Sequence, residues 1–150
     1  MSFEPIDPGY EERVRASFAR QPFMAHIGAQ LSEVGPGFCE IRVPYAPELT
    51  QQHDFIHGGV VGTIADDAGG YAAYTLMPAD STVLTVEYKL NLLAPAKGDV
   101  VIARANVIRP GRTLTVCTAE VTAVIGDSSN LCATALMTIM RLDGKPDAAV

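Results

Sequence analysis

The sequence is poor in tryptophan and cysteine: it has no tryptophan and only three cysteines. Cys39, Cys117 and Cys132 are too far apart to form a zinc knuckle, and an odd number of thiols cannot pair completely within one chain. The residues beside them have the patterns of strands. We therefore expect small buried thiols in a reducing, cytoplasmic compartment.

Basic charge and long apolar runs are scarce as well. The chain has 11 Lys and Arg against 17 Asp and Glu, a net charge of −6. Because phosphate backbones bind basic surfaces, nucleic acid is not expected as the main partner. No apolar run approaches the roughly 20 residues of a membrane-spanning helix. The acidic, proline-containing N-terminus is unlike a secretory signal.

What the sequence does contain is an ordered series of helix and strand patterns within a length of 150 residues, which fits one domain over 1–150. The predicted elements are, in order, a short amphipathic helix at about 9–20, a hairpin of strands at 27–34 and 38–44, a long helix from about Gly58 to Leu76, and strands at 83–93, 99–109, 113–125 and 131–142. The last seven residues or so are expected to form a frayed tail.

This order predicts an α+β fold in which an antiparallel sheet packs on the long helix, with the last four strands as a meander. Strands 99–109 and 131–142 are apolar on both faces. One helix covers one face of a sheet, so the other face is expected to contact another subunit.

The long helix is rich in glycine, although each interior glycine costs up to about 1 kcal/mol relative to alanine. At 100° per residue its residues fall into two stripes. The apolar stripe, which should face the sheet, consists of Val61, Ile64, Ala65, Ala68 and Ala72. The bare stripe consists of Gly58, Gly62, Asp66, Gly69, Gly70 and Ala73. A bare stripe lets a helix, a strand of a second subunit or a thin ligand approach, although it can also serve tight packing alone.

Two aspartates stand side by side in this helix. Asp66 belongs to the bare stripe, whereas Asp67 points about 100° away, toward a different neighbour. Aspartates in helices are commonly only solvated, so helix geometry by itself leaves both a structural and a functional role open for Asp66.

The helix begins at His57-Gly58-Gly59. Glycines there leave backbone N–H groups unobstructed at the positive end of the helix dipole, which favours an anion or oxyanion site. Such donors and the Asp66 carboxylate could flank one substrate carbonyl, as acyl transfer to water requires. The string His53–His57 resembles the zincin H-E-x-x-H, but no helix precedes it, so no metal site is expected.

The strand VLTVEYKLNLL shows strict alternation. One face carries Leu84, Val86, Tyr88, Leu90 and Leu92; the other carries Thr85, Glu87, Lys89 and Asn91. The pattern predicts a half-buried strand in which Thr85 faces away from the core of its own domain.

Taken together, these residues resemble the PaaI-type hotdog-fold acyl-CoA thioesterases. The resemblance rests on H-G-G followed after six residues by an aspartate, on P-A-x-x-G at the end of LTVEYKLNLLAPAKGD, and on the glycine turn in RPGRTLTVCTAEV. It covers about residues 20–142. It implies a hotdog fold, in which an antiparallel sheet wraps around a long central helix.

The resemblance also implies residue roles in the hydrolysis of acyl- or aryl-acyl-CoA. Asp66 would be the general base or the nucleophile, Gly58 would supply an oxyanion-hole N–H, and His57 would orient the thioester. Gln51 stands where relatives often have an asparagine. Thr85 corresponds to a hydroxyl that assists the attacking water in some relatives.

Further expectations concern the substrate and the assembly. Gly59, Gly62 and Gly70 would bind the substrate, and Arg109 and Arg112 could meet the CoA phosphates. The resemblance implies a homodimer or homotetramer with active sites between subunits, and no cofactor. A hydratase or dehydratase, or a non-catalytic acyl-CoA-binding protein, are the alternatives on the same fold.

Overall fold

The computed structural model describes residues 3–145 and 147. Its helices are α1 (Tyr10–Ala19), α2 (Pro22–His26) and α3 (Gly58–Tyr74), with a 3-10 turn at Pro47–Leu49. Its strands are β1 (Gln30–Gly35), β2 (Phe38–Pro44), β3 (Ser81–Leu92), β4 (Val100–Arg109), β5 (Leu114–Ile125) and β6 (Ser128–Asp143). The expected helices and strands are present. The short α2 and the 3-10 turn were not expected, because such short elements show no period.

The strands form one antiparallel sheet in the order β1-β2-β4-β5-β6-β3. The predicted α+β architecture, with an antiparallel sheet around a long helix, is confirmed. The prediction of a simple four-strand meander is wrong, because β4 pairs with β2 while β3 pairs with β6 at the far edge. This crossover between β3 and β4 carries the chain across the sheet, so the strand next to α3 in sequence is an edge strand.

The apolar stripe of α3 is buried against the sheet, as predicted. Ile64, Ala65, Ala68 and Ala72 have no exposed surface, and Val61 has almost none. The helix packs across β2, β4 and β5 in the middle of the sheet. Burying an apolar stripe in this way is what stabilises a helix whose own glycines disfavour it.

The C-terminal end of α3 is held by α1. The Arg13 guanidinium stacks on the Tyr74 ring at 4.0 Å and donates a hydrogen bond of 2.8 Å to the Met77 carbonyl. It also forms an ion pair of 2.9 Å with Asp7. It also donates a hydrogen bond of 3.3 Å to the Tyr74 carbonyl, one of the groups that a helix end leaves without intrahelical partners.

The bare stripe of α3 is not uniform, which corrects the sequence interpretation. A Cβ atom at Gly69 would lie 1.8 Å from Met137 Sδ of β6, so this glycine faces the domain's own sheet and permits its close approach. Ala73 is likewise fully buried. Nothing lies within 4 Å of a Cβ placed at Gly70, which borders open space. Only part of the stripe is therefore available to a ligand.

A β-bulge interrupts β3. Thr85 pairs with Ile139 and Glu87 with Thr138, so Val86 is an extra residue without a partner of its own. A bulge places two residues opposite one and reverses the alternation beyond it. The expectation of strict alternation is therefore wrong at Val86. Before the bulge Thr85 faces α3, and after it Tyr88 and the residues at alternate positions face α3.

The remaining expectations on the whole chain concern cysteines, membrane segments and the tail. All three cysteines are free and buried, as expected. None of the described helices is long and apolar enough to cross a membrane. Within the predicted tail, Pro146 and residues 148–150 lie outside the described residues. Asp147 forms an ion pair of 2.8 Å with Arg20 of α1.

Candidate active site

Asp66 lies in the middle of α3 and points toward the edge strand. Its Oδ1 atom accepts a hydrogen bond of 2.7 Å from the Thr85 hydroxyl. Burial raises the pKa of the Asp66 carboxyl above its usual value, and the Thr85 hydrogen bond partly opposes this shift. The side chain is thus a carboxylate of increased basicity held by one donor. The prediction that Thr85 faces away from its own domain is wrong, because the bulge turns it toward the helix.

Asp66 and Thr85 border a cavity of about 450 Å³ between α3, β3 and the α1–α2 junction. Its other lining residues are Ser17, Arg20, Gln21, Asp67, Gly70, Tyr71, Tyr74, Thr82, Val83, Leu84 and Asp147. The predicted substrate residue Gly70 belongs to this cavity. We call it the Asp66 cavity.

Asp67 lines the same cavity but is engaged differently. Its Oδ1 accepts a hydrogen bond of 2.8 Å from Gln21 Nε2, which also donates to the Tyr71 hydroxyl at 2.8 Å. Tyr71 in turn shares a hydrogen bond of 3.0 Å with Ser17. Burial, and then the charge of Asp66, raise the pKa of Asp67 to about 6, against the effect of the Gln21 hydrogen bond. The Oδ1 atom of Asp67 is therefore part of a polar network, although its buried Oδ2 has no partner among the described residues. Within the same part of the chain, Asp66 accepts a side-chain hydrogen bond from Thr85 alone.

The start of α3 distinguishes the two adjacent glycines. His57 is the N-cap, and its Nδ1 accepts the Gly59 N–H at 2.8 Å. The Val60 and Val61 N–H groups donate to the His57 carbonyl. Within the described part of the chain, no acceptor bonds the Gly58 N–H. Of the two predicted donors, Gly58 is thus free for a ligand, and Gly59 is occupied by the cap.

Gly58 borders a second cavity, of about 420 Å³, which we call the Gly58 cavity. Gln51 and Phe55 line one side of it, and Leu92 and Cys132 line another. The Gln51 side-chain oxygen accepts a hydrogen bond from the His53 backbone N–H, so the loop before α3 holds the amide beside the helix start. Gln51 and Gly58 thus line the same cavity.

Gly58 and Asp66 are far apart along α3 within one chain. Asp66 follows Gly58 by eight residues of continuous helix, an axial rise of about 12 Å. Within one chain the two groups therefore line separate cavities, the Gly58 cavity at the start of α3 and the Asp66 cavity beside its middle.

The other predicted site residues lie outside these cavities. Gly62 is covered by Leu90 of β3. His57 and Gly59 line a separate surface depression with His26, Glu48 and Thr63.

The two candidate phosphate ligands are also apart from the two cavities. Arg109 ends β4 and is exposed, and Arg112 lies in the following turn. Arg112 borders a cavity with Leu76 and Met77, beyond the C-terminal end of α3. Among residues 3–145 and 147, no three His, Cys, Asp or Glu side chains are grouped to hold a metal ion.

Sequence reasoning missed Gln21, Tyr71 and Ser17. No local pattern marks them, because their approach to Asp67 depends on how α1 docks against α3. The sequence places Tyr71 on the same line of α3 as Tyr74, which indicates only an ordinary packed helix face.

Comparison with known proteins decides the family of this site. A model of the thioesterase superfamily matches residues 53–128, a segment that contains Gly58, Asp66 and Thr85. The chain belongs to the thioesterase superfamily. It is thus a thioester hydrolase with the hotdog fold.

Individual relatives agree with this assignment. The structure of a thioesterase family protein from Silicibacter pomeroyi is 49% identical, with a TM-score of 0.89, and the match covers 91% of this chain and 100% of that one. The PaaI protein of Escherichia coli is 19% identical with a TM-score of 0.80 over 91% of this chain and 96% of its own, and shares the fold. A Saccharolobus solfataricus protein whose name assigns it provisionally to the esterases is 36% identical over 75% of this chain and 72% of its own.

Proposed function

We propose that this thioesterase hydrolyses acyl-CoA, with Asp66 as the acid–base group and a Gly58 N–H as the oxyanion donor. The observation that carries the proposal is the Asp66–Thr85 pair at the wall of a cavity large enough for an acyl group. A carboxylate with a raised pKa, held by one donor, is suited to take a proton from water.

The chemistry follows from these groups. Asp66 removes a proton from a water molecule while the oxygen of that water bonds to the thioester carbonyl carbon. The carbonyl oxygen becomes negative and accepts the Gly58 N–H, whose helix dipole favours that charge. When the C–S bond breaks, the electron pair leaves with sulfur, which takes the proton from Asp66. The products are a free acid and CoA.

A second role for Asp66, direct attack on the carbonyl carbon, would need the same geometry and would form an anhydride. A single turnover in ¹⁸O-labelled water tests the nucleophilic route in which water opens the anhydride at the Asp66 carbonyl. That route places label in Asp66, whereas general-base catalysis places label only in the acid product.

The 12 Å between Gly58 and Asp66 supports a site made from two chains. Two α3 helices can lie antiparallel, so that Gly58 of one copy is opposite Asp66 of the other. A two-fold axis then forms the same pairing twice and gives two identical sites. The edge strand β3 suits this pairing. Among the described residues it pairs on one side only, and Leu84, Val86 and Leu92 are about half exposed.

The choice of a CoA thioester is supported by a relative. A Listeria monocytogenes protein named 1,4-dihydroxy-2-naphthoyl-CoA hydrolase is 26% identical over 64% of this chain and 78% of its own. The acyl part would occupy the Asp66 cavity, whose wall combines the apolar Val83 and Leu84 with the polar network of Asp67. Arg109 and Arg112 would meet CoA phosphates only if the nucleotide reached the C-terminal end of α3.

The test is a free-thiol release assay with a panel of short, long and aryl acyl-CoAs. Asp66→Asn should lower turnover by about 10²–10⁴, the range for loss of a general base, while acyl-CoA still binds. Asp67→Asn is the matched control, because it removes the neighbouring charge and should keep turnover near that of the unmodified protein.

Two results would contradict the proposal. Near-normal turnover of Asp66→Asn would remove Asp66 from the chemistry. Binding of acyl-CoA without thiol release by the unmodified protein would instead identify a non-catalytic acyl-CoA-binding protein.

A further inference from the structure

Tyr88 of β3 lies against the bare backbone of α3. Its hydroxyl is 3.5 Å from the position that a Cβ at Gly62 would take, and Leu90 Cδ2 is 3.3 Å from the same point. The bulge at Val86 is what turns this side chain toward the helix, on the same side as Thr85. The Tyr88 hydroxyl thus lies at van der Waals distance from the α3 backbone at Gly62.

Packing alone does not call for a hydroxyl at this position. The neighbouring residues that face α3 from β3, Leu90 and Leu92, are apolar, and they cover the helix without polar atoms. Within the described part of the chain, the Tyr88 hydroxyl has no hydrogen-bond partner, and the residue is 45% exposed. A phenol O–H can donate and accept one hydrogen bond each, so this group is available to a ligand.

The position of Tyr88 relates it to both Gly58 and Asp66. Gly62 is one helical turn from Asp66 and one turn from Gly58, so side chains at these positions are about 6 Å apart. A group that contacts Gly62 is therefore about one helical turn from both Asp66 and Gly58. With two antiparallel copies arranged as proposed above, Gly62 would also stand opposite Gly62 of the second copy.

We propose that the Tyr88 hydroxyl is a further catalytic group, which donates a hydrogen bond to the thioester of a substrate bound at Asp66. The inference rests on the proposed acyl-CoA hydrolysis. The hydroxyl joins the Gly58 N–H as a second donor, and its hydrogen bond strengthens as the carbonyl oxygen becomes negative. No proton leaves Tyr88, so the overall reaction stays as written above.

The test separates the hydroxyl from the aromatic ring. Tyr88→Phe removes only the oxygen, and Tyr88→Leu also removes the ring. If the hydroxyl donates to the reacting group, both variants should lower kcat by about tenfold or more, with KM nearly unchanged. Lys89→Gln, on the opposite face of the same strand, is the control and should keep both constants.

A kcat of Tyr88→Phe within twofold of the unmodified protein would overturn the inference, and a loss confined to Tyr88→Leu would assign the residue to packing. An increase in KM alone would place the hydroxyl on a part of the substrate remote from the reaction. The proposed function fails separately, through active Asp66→Asn or an inactive unmodified protein. Circular dichroism and thermal unfolding of each variant establish that the fold is retained.

Discussion

The start and the middle of α3 offer a substrate different chemistry. At the Asp66 cavity the protein presents side chains: a carboxylate, the Thr85 hydroxyl and the network around Asp67. At the Gly58 cavity it presents backbone, with a free N–H at the positive end of the helix. Acid–base work needs a titratable side chain, whereas oxyanion binding needs only a fixed dipole. One helix supplies both, but about 12 Å apart.

Gly58 and Asp66 are also held in position by different kinds of contact. Gly58 is positioned by the helix cap, since His57 occupies the next N–H and leaves that of Gly58 free. Asp66 is positioned by tertiary structure, through a strand bulge that brings Thr85 within 2.7 Å. A short sequence motif can encode the first arrangement. The second depends on how a strand far along the chain lies against the helix.

The sharpest test of the Gly58 N–H donor is the substitution Gly58→Pro. Proline is well accommodated at the first position of a helix, and the extended His57 before it is compatible with proline, so the change mainly removes the N–H. We expect kcat to fall about 10²–10³-fold, as for loss of one oxyanion donor. Steady-state thiol release measures this.

Gly58→Ala is its matched control. Either substitution brings a Cβ within 2.9 Å of Leu92 Cδ1, the end of a flexible side chain, but alanine keeps the N–H. If the two variants lose the same fraction of activity, the loss comes from the contact of the new Cβ with Leu92, and the Gly58 N–H has no catalytic role.

Co-expression of two inactive variants tests whether Gly58 and Asp66 of different chains form one active site. Asp66→Asn and Gly58→Pro chains, expressed together, should recover about a quarter of the normal activity, because half of the random dimers are mixed and each has one intact site. Each variant alone should stay near background. A co-expressed sample no more active than its parents would place both groups in one chain, against the two-chain site.

A smaller loss of activity is expected from Thr85→Val, which removes the hydrogen bond to Asp66. The Thr85 hydrogen bond lowers the pKa of Asp66, so its loss should raise that pKa further. Since catalysis needs the carboxylate, activity falls as pH drops through this pKa, and the acidic limb of the kcat/KM profile should move to higher pH. The loss should therefore be several-fold at acidic pH and smaller at pH 8. Thr85→Ser, which keeps the hydroxyl, should retain the original profile; an unchanged profile in Thr85→Val would show that the hydrogen bond does not tune Asp66.

The smallest effects concern the two adjacent glycines that separate sheet from cavity. Gly69→Ala should reduce the free energy of unfolding by about 1–3 kcal/mol, because its Cβ overlaps the buried Met137 side chain. Gly70→Ala should raise it by up to about 1 kcal/mol, since its Cβ meets open space and alanine favours the helix. Urea unfolding measures both. Equal effects of the two changes would contradict the orientation of α3.

Much of the fold could be predicted from the sequence because it is encoded locally. The period of α3, the strand patterns of β4 to β6 and the glycine turns each depend on neighbouring residues. The free N–H at Gly58 follows from a histidine cap with glycines behind it. The separation of Asp66 from Asp67 by about 100° follows from helix geometry alone.

The errors arose where distant parts of the chain meet. Strict alternation placed Thr85 on the wrong face, because a bulge has no signature within VLTVEYKLNLL and is set by pairing with β6. Gly69 looked like part of a ligand stripe, although Met137 determines its environment. Gln21 had no local pattern to identify it.

The sequence by itself determined the helix, its two faces and the spacing of Gly58 and Asp66, because these depend on the periodicity of a single element. Only the tertiary structure decided which groups reach Asp66, which glycine meets a cavity and which strand lies at the edge. Those outcomes depend on contacts between residues distant in the chain, and such contacts leave no periodic signal in the sequence.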